Sequence, residues 1–237
     1  MEEKYNGIVI GGTPFGENDK ILNVFTLEQG VISAKIKGVK KAGAKLKFAS
    51  EPFCFAEYLF TKKGELRTVT GASLIDSFYP IREDINKYFC GATVLEFVKK
   101  FYRESIVSKD GFFLTLEALK QISYGEERAK QSLIRFLFSA LKENGYALYI
   151  DKCGCCKNTV HGRVFFDYRR GAFYCENCFD GVGREMSLST LEGFKQVMAG
   201  ERVSEEIETK ILRLLNFYIE NRTEEKIKSL AELTKIL

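Results

Sequence analysis

Cys153-Gly-Cys-Cys156 and Cys175-Glu-Asn-Cys178, separated by eighteen residues, hold five of the seven cysteines in the chain. Two C-x-x-C pairs form two tight knuckles, and four thiolates so presented suit one tetrahedral Zn²⁺. No position in the cluster is left for an attacking water, so the reading is a structural site on Cys153, Cys156, Cys175 and Cys178. Redox chemistry is the alternative for an isolated C-x-x-C, and two pairs without a thioredoxin-like βαβ setting argue against it. Cys155 adjoins Cys156 and competes with it for the second position, although Cys153-x-Cys155 makes the poorer knuckle. His161, the single histidine, lies inside the loop between the pairs. It reads either as an incidental exposed residue, which we prefer, or as a fourth ligand replacing one cysteine.

Around the cysteines, Val164–Tyr168 and Phe173-Tyr174 read as two short strands joined through Arg169-Arg170-Gly171. Arg163, Arg169, Arg170 and Arg184 ring this module and offer a second basic patch. Farther along, Arg202 and Arg213 are candidates to hold a partner's carboxylate. The odd cysteine count and clustered pairs fit a reducing compartment better than a disulfide scaffold. The first residues lack the profile of a signal peptide, and no run of eighteen apolar residues is present, so neither export nor a membrane span is expected.

Upstream, about residues 1–80 read as β. Apolar runs at 5–10, 21–27, 31–39, 53–60 and 66–75 are separated by turn residues, Gly11-Gly12 ending the first. Ile32, Ala34 and Ile36 alternate with Ser33, Lys35 and Lys37, the cleanest period-two signal in the chain. Five short strands in this length suggest a small closed barrel; strand count alone does not separate an OB-type from an SH3-like barrel. Lys35, Lys37, Lys40, Lys41, Lys45 and Lys47 follow one another without an intervening acid. Amines on a barrel face suit phosphate contacts that ignore base identity, against the plainer reading of a lysine-solubilised edge. The formal net charge of +4 is too small to decide between them. Phe48 and Tyr58 are nearby rings for base stacking, though both read better as core.

From Pro80 the period becomes helical. Tyr88, Ala92, Leu95, Val98 and Tyr102 mark one face of a helix, with Cys90 a bystander off that stripe. Helices are expected over 112–123, over 128–144 with Gly145 as its cap, from about 190 to 198 with Ser189-Thr-Leu-Glu192 as a capping box, and over 204–221. A terminal helix follows less regularly, and one bundle is the simplest packing. The fold class is therefore β + α and multidomain: a small closed barrel (1–80), then an all-α domain (81–237) carrying an inserted four-cysteine zinc module (150–184). Glu83/Asp84 and Glu126/Glu127 are adjacent carboxylates that do not face each other on a helix, no nucleophile elbow or HExxH occurs, and a lone histidine excludes His-based triads. The class expected is a binding protein, not an enzyme.

The chain resembles the bacterial DNA repair protein RecO family. The resemblance runs through Gly7-Ile-Val-Ile10, Glu17-Asn-Asp-Lys-Ile-Leu22, Phe25-Thr-Leu-Glu-Gln-Gly30 and Ala34-Lys-Ile-Lys-Gly-Val-Lys-Lys41, then the helical region with its four-cysteine insertion. It implies that the barrel over 1–80 is an OB fold, followed by a helical remainder, in a recombination mediator that binds single- and double-stranded DNA and anneals complementary strands. Its implied partners are RecR, the acidic C-terminal tail of single-stranded DNA-binding protein and, indirectly, RecA. A cytoplasmic, nucleoid-associated location and one structural Zn²⁺ on Cys153, Cys156, Cys175 and Cys178 follow from the same resemblance. The family's basic barrel surface maps onto Lys35, Lys37, Lys40 and Lys41; Lys45, Lys47 and Arg67 extend it on physical grounds. A zinc-containing interaction scaffold that never touches DNA is the competing reading.

Overall fold

The computed structural model describes residues 2–181 and 183–235, which fall into two compact units, 1–124 and 125–237. The first is built on five strands: β1 (Glu2–Phe15), β2 (Asp19–Thr26), β3 (Gly30–Ile36), β4 (Phe55–Lys63) and β5 (Leu66–Asp76). Their order around the closed barrel is β1-β2-β3-β5-β4, with β3 and β5 parallel and β1 returning to pair with β4. This is the OB-type arrangement. One 3-10 turn, Phe48–Ser50, lies in the connection from β3 to β4.

The alternation of β3 is realised as read: Ile32, Ala34 and Ile36 are buried and Ser33 is exposed. In β4, Ala56, Tyr58 and Phe60 point inward, and the Tyr58 hydroxyl donates to the Ala49 carbonyl (3.1 Å), so the buried phenol keeps a partner. The first strand departs from expectation. Gly11-Gly12 does not end β1, which continues to Phe15 with its register shifted between Val9 and Gly11. The shift is a bulge, the alternative use of glycine in a strand.

Three helices complete this unit: α1 (Pro80–Glu83), α2 (Ile85–Phe101) and α3 (Lys109–Tyr124). Asp84 caps α2 by accepting from the Lys87 N–H (2.8 Å), which accounts for one of the adjacent carboxylates. The barrel needs a cover, and Phe25 supplies the contact, its ring 5.0 Å from Tyr102 and 5.6 Å from Phe112. The single bundle expected over 81–237 is thus divided, α1–α3 belonging with the barrel. The face read for α2 is part of what it buries: Leu95, Val98 and Tyr102 are buried and Ala92 half-buried, while Tyr88 is exposed. Cys90, Val94 and Phe97 are fully buried as well, because α2 packs on α1, α3 and β1 at once. Cys90 is a core residue.

The second unit contains α4 (Ala129–Glu143), three short strands β6 (Val164–Asp167), β7 (Ala172–Cys175) and β8 (Arg184–Met186), then α5 (Leu188–Met198), α6 (Glu205–Thr223) and α7 (Lys228–Leu233). Leu133, Phe136, Leu137, Ala140 and Leu141 form the buried side of α4, as the periodicity indicates. Gly145, at φ +84°, ends it: its N–H bonds the Lys142 carbonyl (3.2 Å) while the Tyr146 N–H bonds Leu141 (2.8 Å), the two bonds of a Schellman motif. The capping box read at Ser189 is replaced, since α5 begins at Leu188 with Ser187 as its N-cap. Ser204 caps α6 through the Ile207 N–H (3.3 Å). No helix among the described residues is long and apolar enough to cross a membrane.

Gly30 is held in the left-handed region (φ +69°), and a Cβ there would lie 2.1 Å from the Ile106 carbonyl oxygen. Gly43 has a similar φ (+74°) but open space around it. Gly43→Ala should therefore lose only the backbone preference, about 1–2 kcal/mol. Gly30→Ala should lose clearly more, because the α2–α3 loop must also move. Urea unfolding of both variants by circular dichroism checks this; equal losses would contradict the close approach.

Candidate nucleic-acid interface and metal centre

Of the six lysines from Lys35 to Lys47, one is held in an ion pair and five are exposed. Lys35 lies on the outer side of β3, its Nζ 2.9 Å from Asp19 Oδ2 and 4.4 Å from the centroid of the Phe15 ring. Asp19 also accepts the Gly38 N–H (2.9 Å). Lys35, then the Gly38 N–H, hold the Asp19 carboxyl below the usual carboxylate range. A second tie comes from Lys40, whose N–H donates to the Asn18 carbonyl (3.1 Å) and whose ammonium reaches the Gly16 carbonyl (3.4 Å). The turn between β1 and β2 is thus bonded to the segment after β3. Lys37, Lys40, Lys41, Lys45 and Lys47 are exposed and form no ion pair among the described residues.

Arg67 stands apart. Its Nε donates to Glu3 Oε2 (3.1 Å), and both side chains are largely withdrawn from solvent, at 14% and 11% relative exposure. The guanidinium is already compensated by a carboxylate of β1, reached across β4, so the structure does not bring it into the exposed lysine set. Phe48 and Tyr58 are not available for stacking: Tyr58 is fully buried and Phe48 packs against the barrel core.

In the second unit, β6 and β7 form the hairpin expected around Arg169-Arg170-Gly171, and β8, which no sequence signal announces, adds to the free edge of β6. This sheet places the knuckles. The Gly154 N–H donates to the Phe173 carbonyl (2.8 Å), and the Cys153 N–H donates to Asn158 (2.9 Å). Gly154 is required there, since a Cβ would lie 2.7 Å from the Tyr174 ring. Cys153, Cys156, Cys175 and Cys178 bring their Sγ atoms within 4.8 Å of one another. The Cys153–Cys175 and Cys156–Cys175 separations are 3.8 Å and 4.0 Å. Zn–S bonds of about 2.3 Å place sulfurs about 3.8 Å apart in a tetrahedron, so the tetrad fits a tetrahedral thiolate-bound ion.

Electrostatics point the same way. Burial raises the Cys153 thiol, but the backbone N–H groups of Cys175, Cys155 and Cys156 more than reverse this and hold it at about 6. Cys178 is pushed up, chiefly by its hydrogen bond with Cys175 and by burial. One thiolate is favoured and the last opposed, the pattern of four coupled thiols whose accumulated negative charge a dication would offset. Cys155 is exposed and outside the tetrad, and His161 is exposed and likewise outside it. The second basic patch is reduced by half. Arg163 is paired with Glu176 (2.8 Å) and Glu185 (2.9 Å), and Arg170 with Asp167 and Asp180 (3.4 Å each).

Elemental analysis of purified variants distinguishes the neighbouring cysteines. Cys155→Ser should retain one metal ion per chain, and Cys156→Ser should lose most of it. Full occupancy in Cys156→Ser would show that Cys155 is the ligand.

Comparison with known proteins bears on the whole chain. Residues 1–78 match the family model described as "Recombination protein O N terminal", and residues 82–231 match "Recombination protein O C terminal". Similar proteins include the DNA repair protein RecO of Caldicellulosiruptor saccharolyticus, 26% identical over 234 residues and covering 96% of each chain. That of Pelotomaculum thermopropionicum is 27% identical over 241 residues, covering 98% of this chain and 93% of its own. That of Bacillus subtilis is 31% identical over 182 residues, covering 76% of this chain and 70% of its own. With both models matched in order and nearly every residue accounted for, the chain belongs to the RecO family.

Proposed function

We propose that this protein is a recombination mediator of DNA repair that binds single- and double-stranded DNA through the barrel and anneals complementary strands. The observation that carries the reading is the exposed run Lys37, Lys40, Lys41, Lys45 and Lys47, without ion pairs, on an OB-type barrel in a chain of the RecO family. Lysine ammonium groups on flexible stems neutralise phosphates and release counterions without reading bases. Bases left unread remain free to pair, so strand annealing requires no covalent step and no sequence preference. Lys35 joins this surface as a half-shielded member, held by Asp19.

The metal in this reading is one Zn²⁺ on Cys153, Cys156, Cys175 and Cys178, and its part is structural. Thiolate ligation contributes directly to folding free energy, and it ties the two knuckles onto the sheet formed by β6, β7 and β8. The remaining partners in this reading are RecR, the acidic C-terminal tail of single-stranded DNA-binding protein, and RecA, whose loading onto coated DNA the complex assists. The setting is the bacterial cytoplasm, on nucleoid DNA.

Lys40→Glu combined with Lys41→Glu should weaken binding to unrelated DNA sequences alike. Removing one phosphate neutralisation should flatten the dependence of log K on log[salt] by about 0.7–0.9. Arg67→Gln, by contrast, should destabilise the barrel and leave that slope unchanged. Fluorescence anisotropy at several salt concentrations measures both. Failure of the wild-type protein to bind immobilised single-stranded DNA at low salt would favour a zinc-containing scaffold without DNA contact.

Single-stranded DNA binding measured with and without RecR tests the partnership. We expect the two proteins to form a complex that still binds DNA, and no association at micromolar concentration would remove RecR from the reading.

A further inference from the structure

Phe15 closes β1 at the tip of the β1–β2 hairpin, opposite Asp19 in the register. It is 50% exposed, and no other aromatic ring on the five barrel strands is exposed among the described residues. A single exposed phenylalanine is unremarkable by itself, since folded proteins show much apolar surface. Its surroundings are less ordinary. The ammonium of Lys35 sits 4.4 Å from the ring centroid and is held in place by Asp19 at 2.9 Å. The hairpin is fixed against the lysine segment by the bonds from Gly38 to Asp19 and from Lys40 to Asn18. A ring backed by a cation, on a hairpin bonded to the segment that carries Lys37, Lys40 and Lys41, combines the two parts of a single-strand site: a stacking platform and cations along the backbone.

We propose that Phe15 is the base-stacking residue of this barrel and gives it a preference for single-stranded over duplex DNA. This rests on the DNA-binding reading above. An unstacked base lies against the solvent side of the ring while its flanking phosphates meet Lys37, Lys40 and Lys41. In a duplex every base is already stacked, so the ring contributes nothing and only the phosphate contacts remain. Glu17, at the same turn, is exposed and keeps one negative charge beside the platform, which disfavours a phosphate at the ring itself. Asp19 is compensated by Lys35.

Stacking and phosphate contact respond differently to salt, and the test uses that difference. Phe15→Ala and Phe15→Leu should each bind oligothymidylate between about fivefold and a hundredfold more weakly, with duplex affinity and the salt slope unchanged. Leucine keeps the apolar bulk and lacks the π face, so the pair separates stacking from simple burial; circular dichroism and thermal melting verify folding. The natural chain has no tryptophan. Phe15→Trp therefore carries a single reporter whose fluorescence should be quenched by oligothymidylate and much less by duplex, with affinity retained.

Wild-type affinity for oligothymidylate in both Phe15→Ala and Phe15→Leu would overturn this inference and leave the DNA-binding reading standing. An equal loss on single strand and duplex would overturn it as well, showing that Phe15 only positions the lysines. Absence of DNA binding by the wild-type protein would overturn both.

Discussion

A strand of fourteen residues that must be paired on both sides sets the form of the first unit. β1 bonds β4 through residues 2–8 and β2 through residues 7–15, so its two halves face different neighbours. A straight strand cannot serve both, and the change of register between Val9 and Gly11 supplies the bend. Everything proposed for the DNA-facing side depends on this closure. It carries Phe15 to the hairpin tip, sets Asp19 beside Lys35, and draws Arg67 into the pair with Glu3.

Charge in this protein is best sorted by what already compensates it. Lys35 has a carboxylate partner on the neighbouring strand and Arg67 one on β1 across β4, and Arg163 and Arg170 have them within the cysteine module. The lysines after β3 do not. A net charge of +4 hides this division, since the compensated cations and the free ones count alike. An exposed ammonium keeps its hydration until a phosphate displaces it, whereas a withdrawn guanidinium with a partner has no reason to exchange.

Much of the fold is legible in the sequence because its signals are local and one-sided. β3 alternates since only one of its faces is buried, and the paired C-x-x-C spacing specifies a tetrad whatever surrounds it. What the sequence hides is decided at longer range. Gly11-Gly12 looks the same in a bulge as in a turn, and only pairing with both β2 and β4 selects the bulge. The face of α2 defies a single-stripe reading because three neighbours bury it. Arg67 resembles one more cation of the barrel because its partner Glu3 lies 64 positions away in sequence. Phe15 sits in what reads as a glycine-rich turn. Its exposure depends on the hairpin extending to residue 15, and no local pattern announces that.

The cysteine module is an insertion in sequence, and its packing gives that word a narrower meaning. Phe166 of β6 lies 4.9 Å from Phe173 and 5.7 Å from Tyr218 of α6, ring to ring. Tyr168 meets Phe217 at 5.5 Å, and the Tyr218 hydroxyl reaches the Tyr146 carbonyl (3.3 Å). The sheet beside the thiolates is therefore one wall of the aromatic core around α6. A chain shortened by residues 150–184 would not simply lose a metal; it would bare that side of α6 to water. Insertion in sequence is here integration in space, and the module has no seam along which it could be removed.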